Sequence, residues 1–372
     1  MGRPKWETTG RSNVGPRQES VRVAVIGYGM GGALFHAPFI AADPRLDLTA
    51  VVTGDAERQR AVHSRYPGTD VLGRTEDLLE RLGDIDLVVI STPNTTHASL
   101  AEAVLSQGKP VVVDKPVTPT AEATRRLAAL AEEQGTWVVP FQNRRWDGDF
   151  RTVVDLVRRH GLGTLHAFES RYERWQPRVP DDPRRAWKND GQPGGGAGIL
   201  LDLGSHLIDQ AVVLFGRPQG VSGDVAVRRP SSGVDDDVFV ALHYPGGPRV
   251  HLWMSAVAAD QGPRFRLLGD AAAYVKWGMD PQESRLADGQ SPGATDWGEE
   301  PRAAWGSIVT GTERRQLPTL PGSYQLFYAG MASLLLDGTP PPVDVADAIV
   351  TAEIIEAATL SAQMGIVAPL AT

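Results

Sequence analysis

A short β-branched run, Val21–Ile26, breaks into Gly27-Tyr28-Gly29-Met30-Gly31-Gly32 and continues as a helical pattern over Gly31–Ala42. A GxGxxG turn between a strand and a helix constrains the fold more than any other feature of this chain. Its first glycine allows a tight turn, its second lets backbone approach a pyrophosphate, and its third permits close helix–strand packing. The free N–H groups and positive dipole end of the helix then face the phosphates. A glycine-rich turn with no ligand is the bland alternative, and the strand–turn–helix context speaks against it. The unit then repeats. Leu46–Val52, Ile85–Ile90 and Pro110–Val113 are apolar runs of buried parallel-strand type. Thr96–Gln107 reads as a helix stopped by Gly108. Thr118 is expected to cap a helix with Pro119 in its first turn and Gly135 at its end, and Trp137–Phe141 closes the sheet. Repeated β-α-β predicts an α/β Rossmann domain, a doubly wound parallel sheet over residues 21–143.

Cofactor choice is readable where the second strand ends. NAD-selective domains put an acid there, roughly 20 residues beyond the glycines, to hold the ribose 2′-OH. Here the strand runs into Thr53-Gly54-Asp55-Ala56-Glu57-Arg58. Thr53 takes the selective place and Arg58 can reach a 2′-phosphate. Asp55 either contacts the ribose or caps the next helix, and its Gly-Asp placement favours the cap. NADP is therefore expected, with NAD as the alternative. After the fourth strand, Thr92, Pro93 and Asn94 are expected to line the cofactor with His97, which reads equally well as a helix N-terminal residue without chemistry. His36, turns away from the phosphate end, reads as structural.

Composition narrows the chemistry. With 372 residues the chain has room for two domains. A net charge of −8 argues against a general nucleic-acid or membrane-surface binder. The absence of cysteine excludes disulfides, a thiolate nucleophile and a thiolate-held zinc. No metal site is expected. Residues 1–20 are polar and lack an apolar h-region, so they read as a disordered tail rather than a secretory signal, and a cytoplasmic location is expected. No apolar run approaches the roughly 20 residues of a membrane span.

Asp114-Lys115-Pro116 leaves the next strand on the same edge as the glycines. A lysine there can bond a substrate hydroxyl and favour its alkoxide, although position alone fits a surface lysine as well. Further on, a glycine-rich loop, Gln192–Gly198, leads into a helix over Ile199–Phe215 ended by Gly216. Asp202, Ser205, His206, Asp209 and Gln210 share one arc of about 140°, and the remaining surface is largely apolar. Such a helix is mostly buried, so its polar stripe should face a cavity. Asp202 and His206, spaced i,i+4, are expected to meet.

Gly27–Gly32, Phe35-His36-Ala37-Pro38, Asp114-Lys115-Pro116, Gln142-Asn143-Arg144-Arg145-Trp146 and Asp202–His206 together resemble the Gfo/Idh/MocA oxidoreductase family. The likeness spans about residues 21–364 and is strongest to its NADP-dependent scyllo-inositol dehydrogenase branch. The resemblance implies Lys115 and His206 as catalytic residues, Asp202 as a catalytic and substrate-binding partner, and a cis Lys115-Pro116 bond. Thr53–Arg58 resembles the NADP-binding turn of glucose–fructose oxidoreductase. Asp114 departs from the family's usual glutamate.

Beyond Trp146 the pattern changes. A helix over Phe150–His160 precedes strands at Thr164–Trp175, Val221–Arg228, Asp237–Tyr244, Arg249–Ala256, Phe265–Leu268 and Tyr274–Trp277. Pro245-Gly246-Gly247-Pro248 makes a hairpin turn. Residues 144–372 are thus expected to form an α+β domain with an open, mostly antiparallel sheet, which in the family builds homodimers and homotetramers. Residues 278–320 read as an unpatterned surface excursion or oligomer interface. Helices near Tyr324–Leu336 and Asp344–Met364 finish the chain.

Trp146, Tyr172, Trp175, Arg178, Arg185 and Trp187 lie near the chemistry in sequence, and aromatic faces with polar neighbours suit sugar or polyol rings. Each taken singly reads as well as a core aromatic. Lys115, Arg145, Trp146, Tyr172, Asp202 and His206 are the candidate substrate contacts, and Asp114 joins Lys115 beside the cofactor. The expected activity is NADP-dependent hydride transfer at a secondary alcohol or ketone of a cyclitol or sugar. A redox-assisted lyase or glycosidase that regenerates its cofactor is the alternative. A non-enzymatic nucleotide sensor would leave Lys115, Asp202 and His206 without a purpose.

Overall fold

The computed structural model describes residues 20–179 and 197–370. The first sheet is parallel and contains β1 (Val21–Ile26), β2 (Leu46–Val52), β3 (Asp70–Leu72), β4 (Leu87–Ile90), β5 (Val111–Asp114) and β6 (Val138–Phe141). Their order is β3-β2-β1-β4-β5-β6, so the winding reverses between β1 and β4. Ile26 pairs with both Val52 and Ile90, and Ile90 with Val113. Gly27, Thr53, Ser91, Lys115 and Gln142 consequently leave the sheet along one edge, where ligands bind in open α/β sheets. β4 is Leu-Val-Val-Ile buried on both faces, as a central parallel strand requires.

Helices α1 (Ala37–Ala42), α2 (Ala56–Arg65), α3 (Thr75–Leu79), α4 (His97–Leu105) and α5 (Ala121–Glu133) flank this sheet. The cap of α5 is Thr120, whose side chain accepts from the Ala123 N–H, and not Thr118. Thr118 instead donates to Thr120 O at 2.7 Å and is itself buried. Two prolines and two threonines crowd residues 116–120, so more than one position carries a capping chemistry and only backbone geometry selects one.

The second unit contains α6 (Gly148–Arg158), β7 (Leu165–Glu173), α7 (Ser205–Phe215), β8 (Gly220–Ala226), β9 (Asp237–His243), β10 (Arg249–Ser255), β11 (Phe265–Gly269) and β12 (Ala273–Lys276). After these come α8 (Gln282–Ala287), β13 (Gly306–Thr310), β14 (Glu313–Leu317), α9 (Gln325–Asp337), α10 (Val345–Met364) and β15 (Ala368–Pro369). The sheet order is β14-β13-β12-β11-β7-β10-β9-β8-β15, with β10 and β7 parallel and the other pairs antiparallel. Phe168, Leu252 and Met254 from the sheet pack with Leu203, Leu207, Ile208 and Ile354 from the helical layer.

The segment 278–320 is not unpatterned. It holds α8 and the hairpin β13–β14, which extends the sheet. β14 reads Glu-Arg-Arg-Gln-Leu and is exposed on both faces, so an edge strand of this kind has no apolar alternation to betray it. The helix α9 returns to the first unit, where Phe327, Tyr328 and Met331 complete the core around Val23, Val25 and Phe39. Among the described residues no helix is long and apolar enough to cross a membrane.

Candidate active site

The glycine turn separates what the fold needs from what a ligand needs. Gly27 has φ +97°, and a Cβ there would stand 2.3 Å from Ser91 O. A Cβ on Gly32 would stand 2.0 Å from Gly27 O. Both glycines are therefore required by the protein itself. A Cβ on Gly29 would meet no neighbour closer than Arg58 Nη1 at 3.9 Å, so its bare backbone faces the cleft. That opening fits a pyrophosphate, and the turn suits a dinucleotide. Residues Gly31–His36 form a π turn in which the Ala37 N–H reaches Gly32 O. Met30 is exposed, whereas the Tyr28 ring is packed in the core and offers only its backbone to the turn.

Asp55 is occupied as the N-cap of α2, accepting the Glu57 N–H at 2.9 Å and the Arg58 N–H at 3.0 Å. Thr53 is buried, and its carbonyl accepts from Gln59 Nε2. Gly54 follows it into the cap. The cationic group beside the glycine turn is Arg58.

Two loops are tied together by His97. Its Nε2 lies 2.9 Å from Thr92 O and its Nδ1 2.9 Å from Pro116 O. Both ring nitrogens are thus committed to carbonyls in a fully buried ring. The expectation that His97 touches cofactor is corrected: it braces the loop after β4 against the cis Lys115-Pro116 peptide after β5. Thr92 Oγ1 meets Thr96 Oγ1 at 2.6 Å, Pro93 O accepts from Thr96, and Asn94 is buried in the same loop.

Asp114 accepts from its neighbour's N–H (Lys115) and from Ser91 Oγ at 3.0 Å. His36 Nε2 is 3.6 Å away, and His36 Nδ1 meets the Tyr328 hydroxyl at 2.6 Å. Burial pushes the Asp114 carboxyl up, but His36 and the charges of His36, His97 and Lys115 outweigh it and hold the group at about 2. Asp114 is ionised at neutral pH. His36 is structural, as its position in the sequence suggests.

Lys115 Nζ donates to Asp202 Oδ1 at 2.7 Å and also to the Asp202 carbonyl oxygen. Asp202 sits in a second π turn, Leu200–Gly204, directly ahead of α7. Asp202 forms a close ion pair with Lys115, and its charge also acts on His206. His206 is buried, with Nδ1 3.3 Å from Gln142 Oε1. Burial, reinforced by the Lys115 and Arg144 charges, drives its imidazole well below the ordinary histidine value, against the pull of Asp202.

With this geometry in hand, the chain can be placed among known proteins. Residues 21–141 match the Gfo/Idh/MocA oxidoreductase family, NAD-binding Rossmann fold, and residues 154–370 match that family's C-terminal alpha/beta domain. The chain belongs to the Gfo/Idh/MocA family. It is 39% identical over 340 residues to the oxidoreductase YdgJ of Escherichia coli (strain K12), covering 91% of this chain and 95% of the relative. Against scyllo-inositol 2-dehydrogenase (NADP(+)) IolW of Bacillus subtilis (strain 168) identity is 30% over 344 residues, 91% of this chain and 93% of that protein. The solved YPO2259 oxidoreductase of Yersinia pestis matches with a TM-score of 0.86 at 35% identity, over 96% of this chain and 99% of the other. This Gfo/Idh/MocA member is a dehydrogenase/reductase that uses a nicotinamide dinucleotide.

Other expected substrate contacts fare unevenly. Arg145 is held by two carboxylates: its Nε and Nη2 grip Asp209 at 2.8 and 2.6 Å, and Nη2 also meets Asp347 at 2.8 Å. Two carboxylates at that range commit the guanidinium to holding α7 and α10 against the 143–146 turn. Arg144, one residue earlier, is also paired with two carboxylates, Asp147 at 3.4 Å and Glu283. It donates to the Tyr172 hydroxyl at 3.0 Å and stacks over that ring at 5.0 Å. Trp146 packs edge-on against Phe327. Trp175 and Arg178 are exposed, while Arg185, Trp187 and most of the glycine-rich loop lie outside the described residues. Gln142, Ser91 and Arg144 carry no individual role in the sequence alone. Gln142 and Ser91 each stand one residue past a strand end on the ligand edge, and that position was the available signal.

Proposed function

We propose that this family member is an NADP-dependent dehydrogenase/reductase acting on a secondary alcohol or ketone of a cyclic polyol or sugar, of the inositol kind. The observation that carries the reading is the 2.7 Å pair between Lys115 and Asp202, closed over the strand edge beside a buried, neutral His206. When bound, the nicotinamide accepts or returns the hydride. The backbone of Gly27–Gly32 would hold the pyrophosphate, and Thr53, Gly54 and Arg58 the adenosine ribose. Thr92, Pro93, Asn94, Asp114 and Lys115 would line the nicotinamide side.

A lysine ammonium has three N–H donors. Two engage Asp202, and the third serves the substrate oxygen, where positive charge favours developing alkoxide. Neutral His206 takes the hydroxyl proton during oxidation, and the protonated ring returns it during reduction. Asp202 binds a hydroxyl next to the reacting carbon. The Tyr172 ring, held by Arg144, offers a flat face to a cyclic substrate.

Three supports favour NADP: Asp55 is taken up as a cap, Arg58 stands by the glycine turn, and the IolW relative carries NADP(+) in its name. Residues 21–143 serve as the nucleotide unit and 144–372 as the substrate unit. The outer face of the second sheet, where Phe239, His251 and Trp253 form an aromatic ladder, serves as the contact of a homodimer or homotetramer. The test is a binding titration with NADPH and NADH, followed by a panel of inositols, sugars and simple alcohols assayed with both oxidised cofactors. Tighter NADPH binding and turnover of a cyclic polyol are expected. NADH preference, or equal turnover of simple alcohols, would overturn the reading.

A further inference from the structure

Gln142 leaves the end of β6 and is only 4% exposed. Its Nε2 lies 3.5 Å from Ser205 O, and its Oε1 lies 3.3 Å from His206 Nδ1. A main-chain carbonyl can only accept, so the amide nitrogen must be the end that faces Ser205. This turns the amide oxygen to the imidazole. An amide oxygen also only accepts, so Nδ1 must carry the hydrogen. The opposite tautomer would set two lone pairs against each other in a buried place and leave both groups unsatisfied.

We infer that Gln142 is a positioning residue that fixes His206 as the Nδ1–H tautomer, leaving Nε2 as the atom that exchanges the substrate proton. The inference rests on the reading of His206 as the acid–base group. In the oxidation direction the substrate O–H bond breaks and an Nε2–H bond forms, giving an imidazolium held at Nδ1 by Gln142. The reverse step restores the O–H bond and the neutral ring.

The choice of an amide has a consequence. A carboxylate at this position would orient the ring equally well but would stabilise the imidazolium. Glutamine orients without adding negative charge. The charged groups acting on the ring are Lys115, Arg144 and Arg264 on the positive side and Asp202 on the negative side. Their balance and the burial keep the ring neutral, and Gln142 selects which nitrogen is bare.

The test is nitrogen-15 NMR of the full-length protein labelled at histidine, with His206 assigned from the spectrum of the His206→Ala variant. A pyrrole-type Nδ1 and a pyridine-type Nε2 are expected at neutral pH. Gln142→Leu should mix the tautomers and lower kcat about 10- to 100-fold with little change in KM, part of the range for a general base. Gln142→Glu should keep the tautomer and move the acid limb of the oxidation profile to higher pH, because a carboxylate favours the charged ring. A pyridine-type Nδ1 in the unmodified protein, which needs no variant to fold, overturns the inference. So does an unchanged tautomer in Gln142→Leu. Full turnover by His206→Ala would instead remove the acid–base reading while leaving the measured tautomer standing.

Discussion

Lys115 Nζ and Asp202 Oδ1 stand 2.7 Å apart and join the end of β5 to the π turn ahead of α7. One residue belongs to the nucleotide sheet and the other to the helical layer of the second unit. The pair thus fixes the distance between the cofactor edge and the helix that carries His206. Both side chains are largely shielded from water, so removing one partner leaves the other charge poorly compensated.

Lys115→Ala and His206→Ala are each expected to lower turnover by about 10²–10⁴-fold, the usual range for positioned acid–base groups. NADPH affinity, read by fluorescence titration, should stay nearly intact. Most of the turnover surviving at either position removes that residue from the chemistry. Asp202→Asn should raise KM for polyols more than it lowers kcat, because its assigned partner is a hydroxyl of the substrate.

The glycines divide by what each one meets. Gly29→Ala should melt at the temperature of the unmodified protein but bind either dinucleotide weakly, since its Cβ meets no protein atom closer than 3.9 Å. Gly32→Ala should lower the melting temperature, since a Cβ 2.0 Å from Gly27 O forces the backbone apart. Overpacking of that kind costs about 1–3 kcal/mol. Equal melting temperatures for the two variants would contradict this division.

Arg58→Ala should weaken NADP binding at least about tenfold more than NAD binding, because a charge-assisted contact contributes about 1.5–3 kcal/mol and only NADP carries the 2′-phosphate. Parallel titrations decide the matter. Equal losses for both cofactors would count against Arg58.

The pH dependence follows from two carefully placed groups. Asp114 is held at about 2 from an ordinary 3.8, so its contribution to stability is present above 3.8 and is lost as pH falls toward 2. Urea unfolding of the native protein and of Asp114→Asn should show a gap that closes over that window, and a constant gap would contradict it. His206 is shifted the other way for a base: the unfolded chain binds its proton more readily, so this group favours folding as pH rises toward 6.5. Oxidation should therefore be flat above 6.5 and fall only on the acid side, while reduction gains there. An acid limb centred above neutrality would show that His206 is not the titrating base.

Much of this was legible in the sequence because it depends on local signals. The glycine turn, the Gly-Asp cap of α2 and the position of Lys115 at a strand end each follow from a few adjacent residues. The pairing of Asp202 with Lys115 was not legible, because the two stand 87 residues apart and the π turn over Leu200–Gly204 appears only in three dimensions. Arg144 and Arg145 are neighbours of identical chemistry, and which of them faces Asp209 is decided by the turn over 143–146. His97 looked like a cofactor contact because it sits on the correct loop. Its two carbonyl partners come from segments 5 and 19 residues away, and no sequence spacing announces them.

Counting product separates net oxidation of the substrate from redox-neutral turnover. With excess NADP+ and a limiting inositol or closely related cyclic polyol, reduced-nicotinamide absorbance should rise to one NADPH per molecule of substrate oxidised. Consumption of the best substrate with no lasting NADPH would contradict the dehydrogenase account and point to redox-neutral chemistry on the same scaffold.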